Sequence, residues 1–137
     1  MTGKTSGRCH CGGVQFTFNA APVATFYCHC NDCQRTTGSP FSVELMVPSD
    51  TFAVTGELAT YTVTGDSGGA VHRRSCGSCA SGLFLECDSD PDYVFVKAGA
   101  LDDQSAVRPE MHIFVSAKQP WVIIADDLPQ YDRMPPE

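Results

Sequence analysis

Eight cysteines fall in three tight groups and one single position: Cys9 and Cys11, then Cys28, Cys30 and Cys33, then Cys76 and Cys79, with Cys87 alone. This grouping constrains the fold more than any other feature of the sequence. Thiols that recur one or two residues apart can converge on a common centre. A chain of 137 residues also buries enough core to fold without disulfide staples. The first residues, Met1-Thr2-Gly3-Lys4-Thr5-Ser6, carry no apolar stretch of the kind that directs secretion. The expected compartment is therefore the reducing cytoplasm, where clustered cysteines hold metal or do chemistry.

Zinc takes four ligands tetrahedrally, and two cysteines separated by two residues wrap one edge of that tetrahedron. Cys76-Gly77-Ser78-Cys79 has this spacing, and Cys9-His10-Cys11 before Gly12-Gly13 is a tighter pair. Together the two pairs make a closed four-thiolate site that clips the N-terminal segment to the middle of the chain. The run Cys28-His29-Cys30-Asn31-Asp32-Cys33 offers three sulfurs. Three protein ligands and one open position are the mark of a catalytic zinc. Two alternatives stand beside this reading. His29, His72 or Cys87 could close the central site and make both metals structural, or Cys30 and Cys33 could form a redox pair. The redox reading lacks the βαβ context such a pair normally sits in. His10 and His29 are expected to point away from the metals, His112 to lie in the core or a pocket, and Cys87 to be a small buried hydrophobe.

Between the clusters the chain reads as short strands. Val14, Phe16 and Phe18 share one face of an extended segment, as do Phe41, Val43, Leu45 and Val47. Further strands are expected at 58–63, 83–86, 93–96, 111–115 and 122–124. Helix is limited to a turn or two after Cys33, through Gln34 and Arg35. Gly65-Asp66-Ser67-Gly68-Gly69 predicts a hairpin loop bordering the site, without the spacing or the following helix of a dinucleotide fingerprint. The expectation is a single, mostly β domain over 1–137, with its core at about 7–131 and a loose tail at 132–137.

Charge excludes some partners. Nine Lys and Arg stand against 16 Asp and Glu, a net charge of -7, and the longest basic run is Arg73-Arg74. A nucleic-acid backbone would be repelled, so no nucleic-acid partner is expected. No apolar run is long enough to span a membrane, and no membrane partner is expected either. A nucleophile-elbow motif for acyl transfer is also missing.

The order of these elements resembles one known family. They are Gly7-Arg8-Cys9-His10-Cys11-Gly12-Gly13-Val14-Gln15-Phe16, then Cys28-His29-Cys30-Asn31-Asp32-Cys33-Gln34-Arg35-Thr36-Thr37-Gly38-Ser39-Pro40-Phe41. Cys76-Gly77-Ser78-Cys79, Ala98-Gly99-Ala100-Leu101-Asp102-Asp103 and Pro109-Glu110-Met111-His112-Ile113-Phe114 follow, with Trp121 downstream. Together they resemble the glutathione-dependent formaldehyde-activating enzyme family, which also contains centromere protein V. The resemblance runs from about Gly7 to Tyr131. It implies a Mss4-like arrangement of twisted β-sheets around zinc, with two zinc ions per chain. Cys9, Cys11, Cys76 and Cys79 would hold the structural ion, and Cys28, Cys30 and Cys33 the catalytic one. The implied activity joins glutathione and formaldehyde into S-hydroxymethylglutathione and is classed as a carbon–sulfur lyase. The sequence departs from the family in its shortness, in Cys87, and in Ala80-Ser81, where a Gly-Thr-like step is common.

Two functions from different classes follow. One is a zinc-dependent, lyase-like enzyme acting on adducts of an aldehyde with a small thiol such as glutathione. The alternative is a non-catalytic, zinc-stabilised protein-binding module, as the chromatin-associated relative suggests. For the enzyme, thiol capture is favoured over Lewis-acid activation of the aldehyde. Three thiolates leave a divalent metal with a net charge of about -1 and weaken its pull on a carbonyl. Arg35 and His112 are candidates for steering a carboxylate or moving a proton; otherwise Arg35 is a solvated surface group.

Overall fold

The computed structural model describes residues 3–136. Met1 and Thr2, from the N-terminal stretch read for secretion, and Glu137, the last residue of the expected tail, lie outside the described residues. Strands β1 (Thr5–Arg8), β2 (Gln15–Phe18) and β5 (Phe52–Thr55) form a small antiparallel sheet in the order β1-β2-β5. The larger sheet takes β3 (Ala24–Cys28), β4 (Ser42–Pro48), β6 (Leu58–Thr64) and β7 (Ala70–Cys76). It is completed by β8 (Gly82–Cys87), β9 (Tyr93–Lys97) and β10 (Met111–Ile113). Its order is β10-β3-β4-β9-β8-β7-β6, with β10 parallel to β3 and the other pairs antiparallel. One α-helix, α1 (Asn31–Thr37), is present among the described residues. It begins two residues before Cys33, because Cys30 caps it, and ends at Gly38 in the left-handed conformation.

Side chains alternate between the two faces of a strand, and here both faces of the central strands β4, β9 and β8 are covered. Leu45 pairs with Val96, and Val96 with Phe84. These three point into a core shared with Phe16, Phe18 and Val14 beneath the small sheet. One residue along, Met46 pairs with Phe95 and Phe95 with Leu85. That row belongs to a second core with Phe26, Ile113, Cys28 and Cys33. Full burial of a Phe or Leu side chain contributes about 1.5–3 kcal/mol, so both layers matter to stability. The alternation read at Val43, Leu45 and Val47 is present, but the opposite face of β4 is not solvent-facing: Ser42 and Glu44 are buried there. Cys9 and Cys76 belong to the first core and Cys28 and Cys33 to the second. The sheet therefore separates the two sulfur clusters.

Three expectations need correction. Residues 122–124 form no strand. Val122 N–H bonds Gln119 C=O in a turn, Lys118 Nζ takes the Val122 carbonyl, and Ile123 stands exposed. The strand expected at 111–115 stops at Ile113, because Phe114 adopts a left-handed backbone (φ +55°) and a short 3-10 turn follows. The tail expected to be loose from 132 is held at its first two residues. The Asp132 and Arg133 carbonyls accept bonds from Ser116 and Phe114, and the Arg133 side chain pairs with Asp66 at 2.7 Å. Strands β1, β3, β5 and β7 were not expected; Gly7 and the polar residues of β7 mask their alternation.

Candidate metal centres and the pocket above one of them

The four-cysteine cluster is built from two turns. Cys9 and Cys11 follow β1, where Gly12 N–H closes a turn on the Cys9 carbonyl and Gly12 takes φ +80°. Cys76 ends β7 and Cys79 lies in the turn to β8, where Ala80 N–H bonds the Cys76 carbonyl. Backbone amides point at the sulfurs: Val14 N–H to Cys9 Sγ at 3.2 Å, Gly13 to Cys11 at 3.4 Å, and Ser78 and Cys79 to Cys76 at 3.3 and 3.4 Å. Cys79 Sγ lies 3.1 Å from the Ser81 hydroxyl, which leads a set of bonds holding its thiol down to about 5.

The sulfur spacing tests whether a metal fits. Sulfurs bound at about 2.3 Å around a tetrahedral zinc stand about 3.8 Å apart. Cys9 and Cys11 are 3.6 Å apart and Cys11 and Cys76 3.7 Å, and all four sulfurs lie within 4.8 Å of one another. The donor set fits. Ala80 and Ser81, the step that departs from the family, both act here. Ala80 adopts the left-handed backbone usual for glycine (φ +63°), and Ser81 Oγ accepts the His10 amide at 3.0 Å as well as meeting Cys79.

The central trio lies on the opposite face. Cys28 ends β3, Cys30 is the N-cap of α1, and Cys33 is buried in the first turn, its amide bonded to Cys30 Sγ at 3.2 Å. The three sulfurs also fall within 4.8 Å of one another. Hydrogen bonds from Cys28 and Cys33 hold Cys30 down to about 3, and the same sharing, with burial, pushes Cys28 up. A metal at the trio would displace the protons these thiols hold, so its binding would depend on pH.

Three groups stand around the trio, and of their members the sequence singled out only His29 and His112. Glu44 Oε2 lies 3.7 Å from Cys33 Sγ, accepts the Ser42 hydroxyl at 2.8 Å and pairs with Lys97 Nζ at 2.8 Å. Burial pushes the Glu44 carboxyl up, against the pull of Lys97. Arg73, on β7, faces Cys33 and reaches Thr36 Oγ1 at 3.3 Å. Third, a chain runs from the buried His29 Nε2 to the buried His112 Nδ1 at 2.9 Å, and from His112 Nε2 to the exposed Asp126 at 2.9 Å. Burial, then His112, lowers the His29 pKa. Gln34 Nε2 ties the His29 carbonyl to the Ala117 carbonyl, which fixes the turn carrying Cys28 and Cys30.

A pocket of about 650 Å³ covers the trio. Cys28, Cys30 and Cys33 line it with Arg73 and Cys87, and the Gly65 hairpin borders it through Gly65, Asp66 and Ser67. The four-cysteine cluster lies outside it. Neither His29 nor His72 joins the three sulfurs: His29 turns to His112, and His72 to Thr62 and Asp88, each at 2.9 Å. Arg35 is exposed and off the pocket, so Arg73 is the arginine beside the trio. His112 is core and positions His29. Cys87 is half-buried on the pocket wall, its thiol pushed up to about 11 by burial and by Asp90, and is not part of either sulfur cluster. Among the described residues no helix is long and apolar enough to cross a membrane.

These features define a mostly β protein with two cysteine clusters able to chelate metal, one of them opening on a pocket. The family model of the glutathione-dependent formaldehyde-activating enzymes matches residues 4–117, and the chain belongs to that family. A Halomonas elongata protein bearing the family's name is 31% identical over 124 residues, covering 86% of this chain and 79% of its own length. A Penicillium rubens protein of the same name is 30% identical over 115 residues, covering 80% of this chain but 60% of the relative. The fungal relatives are thus considerably longer than the matched region. A crystal structure of a Rhodobacter sphaeroides protein shares the fold with TM-score 0.58 at 20% identity, covering 76% of this chain and 91% of that one.

Proposed function

We propose that the chain is an enzyme that forms and breaks the carbon–sulfur bond between a small thiol, glutathione or a relative of it, and formaldehyde or a similar aldehyde. In the forward direction the thiol sulfur bonds to the carbonyl carbon, the carbonyl π pair moves to oxygen, and the thiol proton ends on that oxygen. No oxidant or reductant is needed. Cys28, Cys30 and Cys33 would hold a zinc ion at the pocket, and Cys9, Cys11, Cys76 and Cys79 a second, structural one. When bound, the zinc at the trio supplies a positive centre that favours the thiolate form of a thiol beside it.

The observation that carries this reading is the pocket. The trio borders it and the four-cysteine cluster does not. The chain's own residues do the remaining work. Phe26, Leu85, Phe95 and Ile113 give the cavity apolar walls, and the Asp126–His112–His29 chain orients the turn that presents the trio. The single domain proposed here spans both clusters, and its eight free thiols suit a reducing compartment such as the cytoplasm.

The test follows S-hydroxymethylglutathione formation by exchange NMR, with wild type, Cys30→Ser and no protein. The uncatalysed reaction sets the baseline. Wild type should exceed it, and Cys30→Ser should fall back to it. Equal rates with wild type and Cys30→Ser would overturn the proposal.

A further inference from the structure

The pocket wall carries one cation that the reaction as written leaves unused. Along β7, Arg74 is engaged by Glu86 at 2.9 Å and by Thr60. Arg133 at the pocket edge is paired with Asp66 at 2.7 Å. Arg73 differs from both. Among the described residues lining the pocket it is the one cation with no carboxylate within ion-pair distance, and its Nε is fully buried with no hydrogen-bond acceptor. A buried, unpartnered donor on a charged group is costly, and such groups in native proteins serve a purpose. Its guanidinium faces Cys33 and lies near Cys30 and Glu44; burial opposes its charge, and Cys33, Glu44 and Cys30 together more than offset that. Glu44 is already neutralised by Lys97 at 2.8 Å, so the Arg73 charge is left for the trio.

We infer that Arg73 is the specificity-determining residue that makes the trio accept an anionic fourth ligand, a thiolate, in preference to a neutral one. The inference rests on the metal-site reading proposed above. Three thiolates around a divalent ion carry a net charge of about -1, and a fourth thiolate raises this to about -2. In a partly desolvated pocket that extra charge is unfavourable unless a cation stands beside it. Arg73 restores the balance, because its guanidinium keeps its charge in the partly desolvated pocket. A neutral fourth ligand, such as imidazole, adds no charge and gains nothing from Arg73.

The experiment uses the full chain loaded with cobalt(II), whose visible spectrum reports the ligands at the metal. Wild type, Arg73→Gln, Arg73→Met and Arg73→Lys are checked for fold by circular dichroism and for metal content. Each is then titrated with 2-mercaptoethanol and separately with imidazole. In the two neutral variants the thiol should bind about tenfold more weakly, equal to about 1.4 kcal/mol. Imidazole should change by less than about twofold, and Arg73→Lys should recover most of the thiol affinity. Using two neutral side chains of different shape keeps the test intact if one of them fails to fold. Equal weakening of both ligands would make Arg73 a shape element only and overturn the inference, as would unchanged thiol binding. A wild-type protein that takes up cobalt at the trio yet shows no spectral response to thiol would overturn the open-site reading itself, and this inference with it.

Discussion

Replacing Lys97 by Met isolates the buried charge behind the trio. The Glu44 and Lys97 side chains are only 4% and 12% exposed and meet at 2.8 Å. Removing the cation leaves a buried carboxylate with the Ser42 hydroxyl as its remaining close donor. Breaking such a pair from one side costs about 3–5 kcal/mol. For a domain of this size that corresponds to a fall in melting temperature of roughly 10–17 °C. The loss has a definite pH dependence. The Glu44 carboxyl is already pushed up by burial, and without Lys97 it rises further. A carboxyl whose pKa is higher folded than unfolded stabilises the fold by keeping its proton. That stability is fully present below the usual carboxylate range and is lost as pH rises through the raised value. Lys97→Met should therefore be least harmful near pH 4–5 and most harmful at about pH 8. Glu44→Gln combined with Lys97→Met removes both charges and should regain most of the loss at pH 8. Calorimetric melts of the three variants and wild type across this range provide the assay. A pH-independent loss, or a double variant as unstable as Lys97→Met, would refute the assignment of Glu44 as a buried charge held by Lys97.

Cys76→Ser should lower soluble yield and leave an incompletely folded chain, because the four-sulfur site contributes folding free energy, whereas Cys30→Ser should give a folded domain short of one metal; circular dichroism and metal analysis read both. Gly56→Ala should lower the melting temperature by about 10 °C, since its Cβ would clash with the Gly13 carbonyl at a backbone φ of +109°, beside the Cys9–Cys11 turn. Ala80→Gly should raise it by roughly 2–4 °C, because glycine removes the left-handed strain at Ala80 at only a modest cost in unfolded-state entropy.

The cysteine clusters were legible because the residues of each pair or trio lie within a few positions of one another, and two such pairs suffice to define a four-sulfur site. Strands β2 and β4 were legible from alternation, and β6, β8 and β9 as short strand-forming runs between turn residues. The groups that surround the trio were not, because strand pairing assembles them over long separations. Glu44 meets Lys97 only through the register of β4 with β9, and His112 reaches His29 because β10 runs parallel to β3. Arg73 was visible only as half of a basic pair. Alternation on β7 sends Arg73 to the pocket and Arg74 to Glu86, and nothing in the local sequence distinguishes the two. A glutamate inside the apolar run Val43 to Val47 was a usable signal: a charged residue within a strand covered on both faces needs a buried partner. The absent strand at 122–124 shows the converse, a short apolar run that joins neither sheet.

Metal content before and after a mild chelator tests the central claim most directly: that one cluster is closed and structural while the trio is accessible from the pocket. Protein purified without chelator should carry about two zinc ions per chain. Brief chelation should remove one of them with the far-UV circular dichroism unchanged, and in Cys30→Ser that exchangeable ion should be missing from the outset. Two ions that both resist removal would contradict the account and favour two closed structural sites, the signature of a binding module rather than an enzyme.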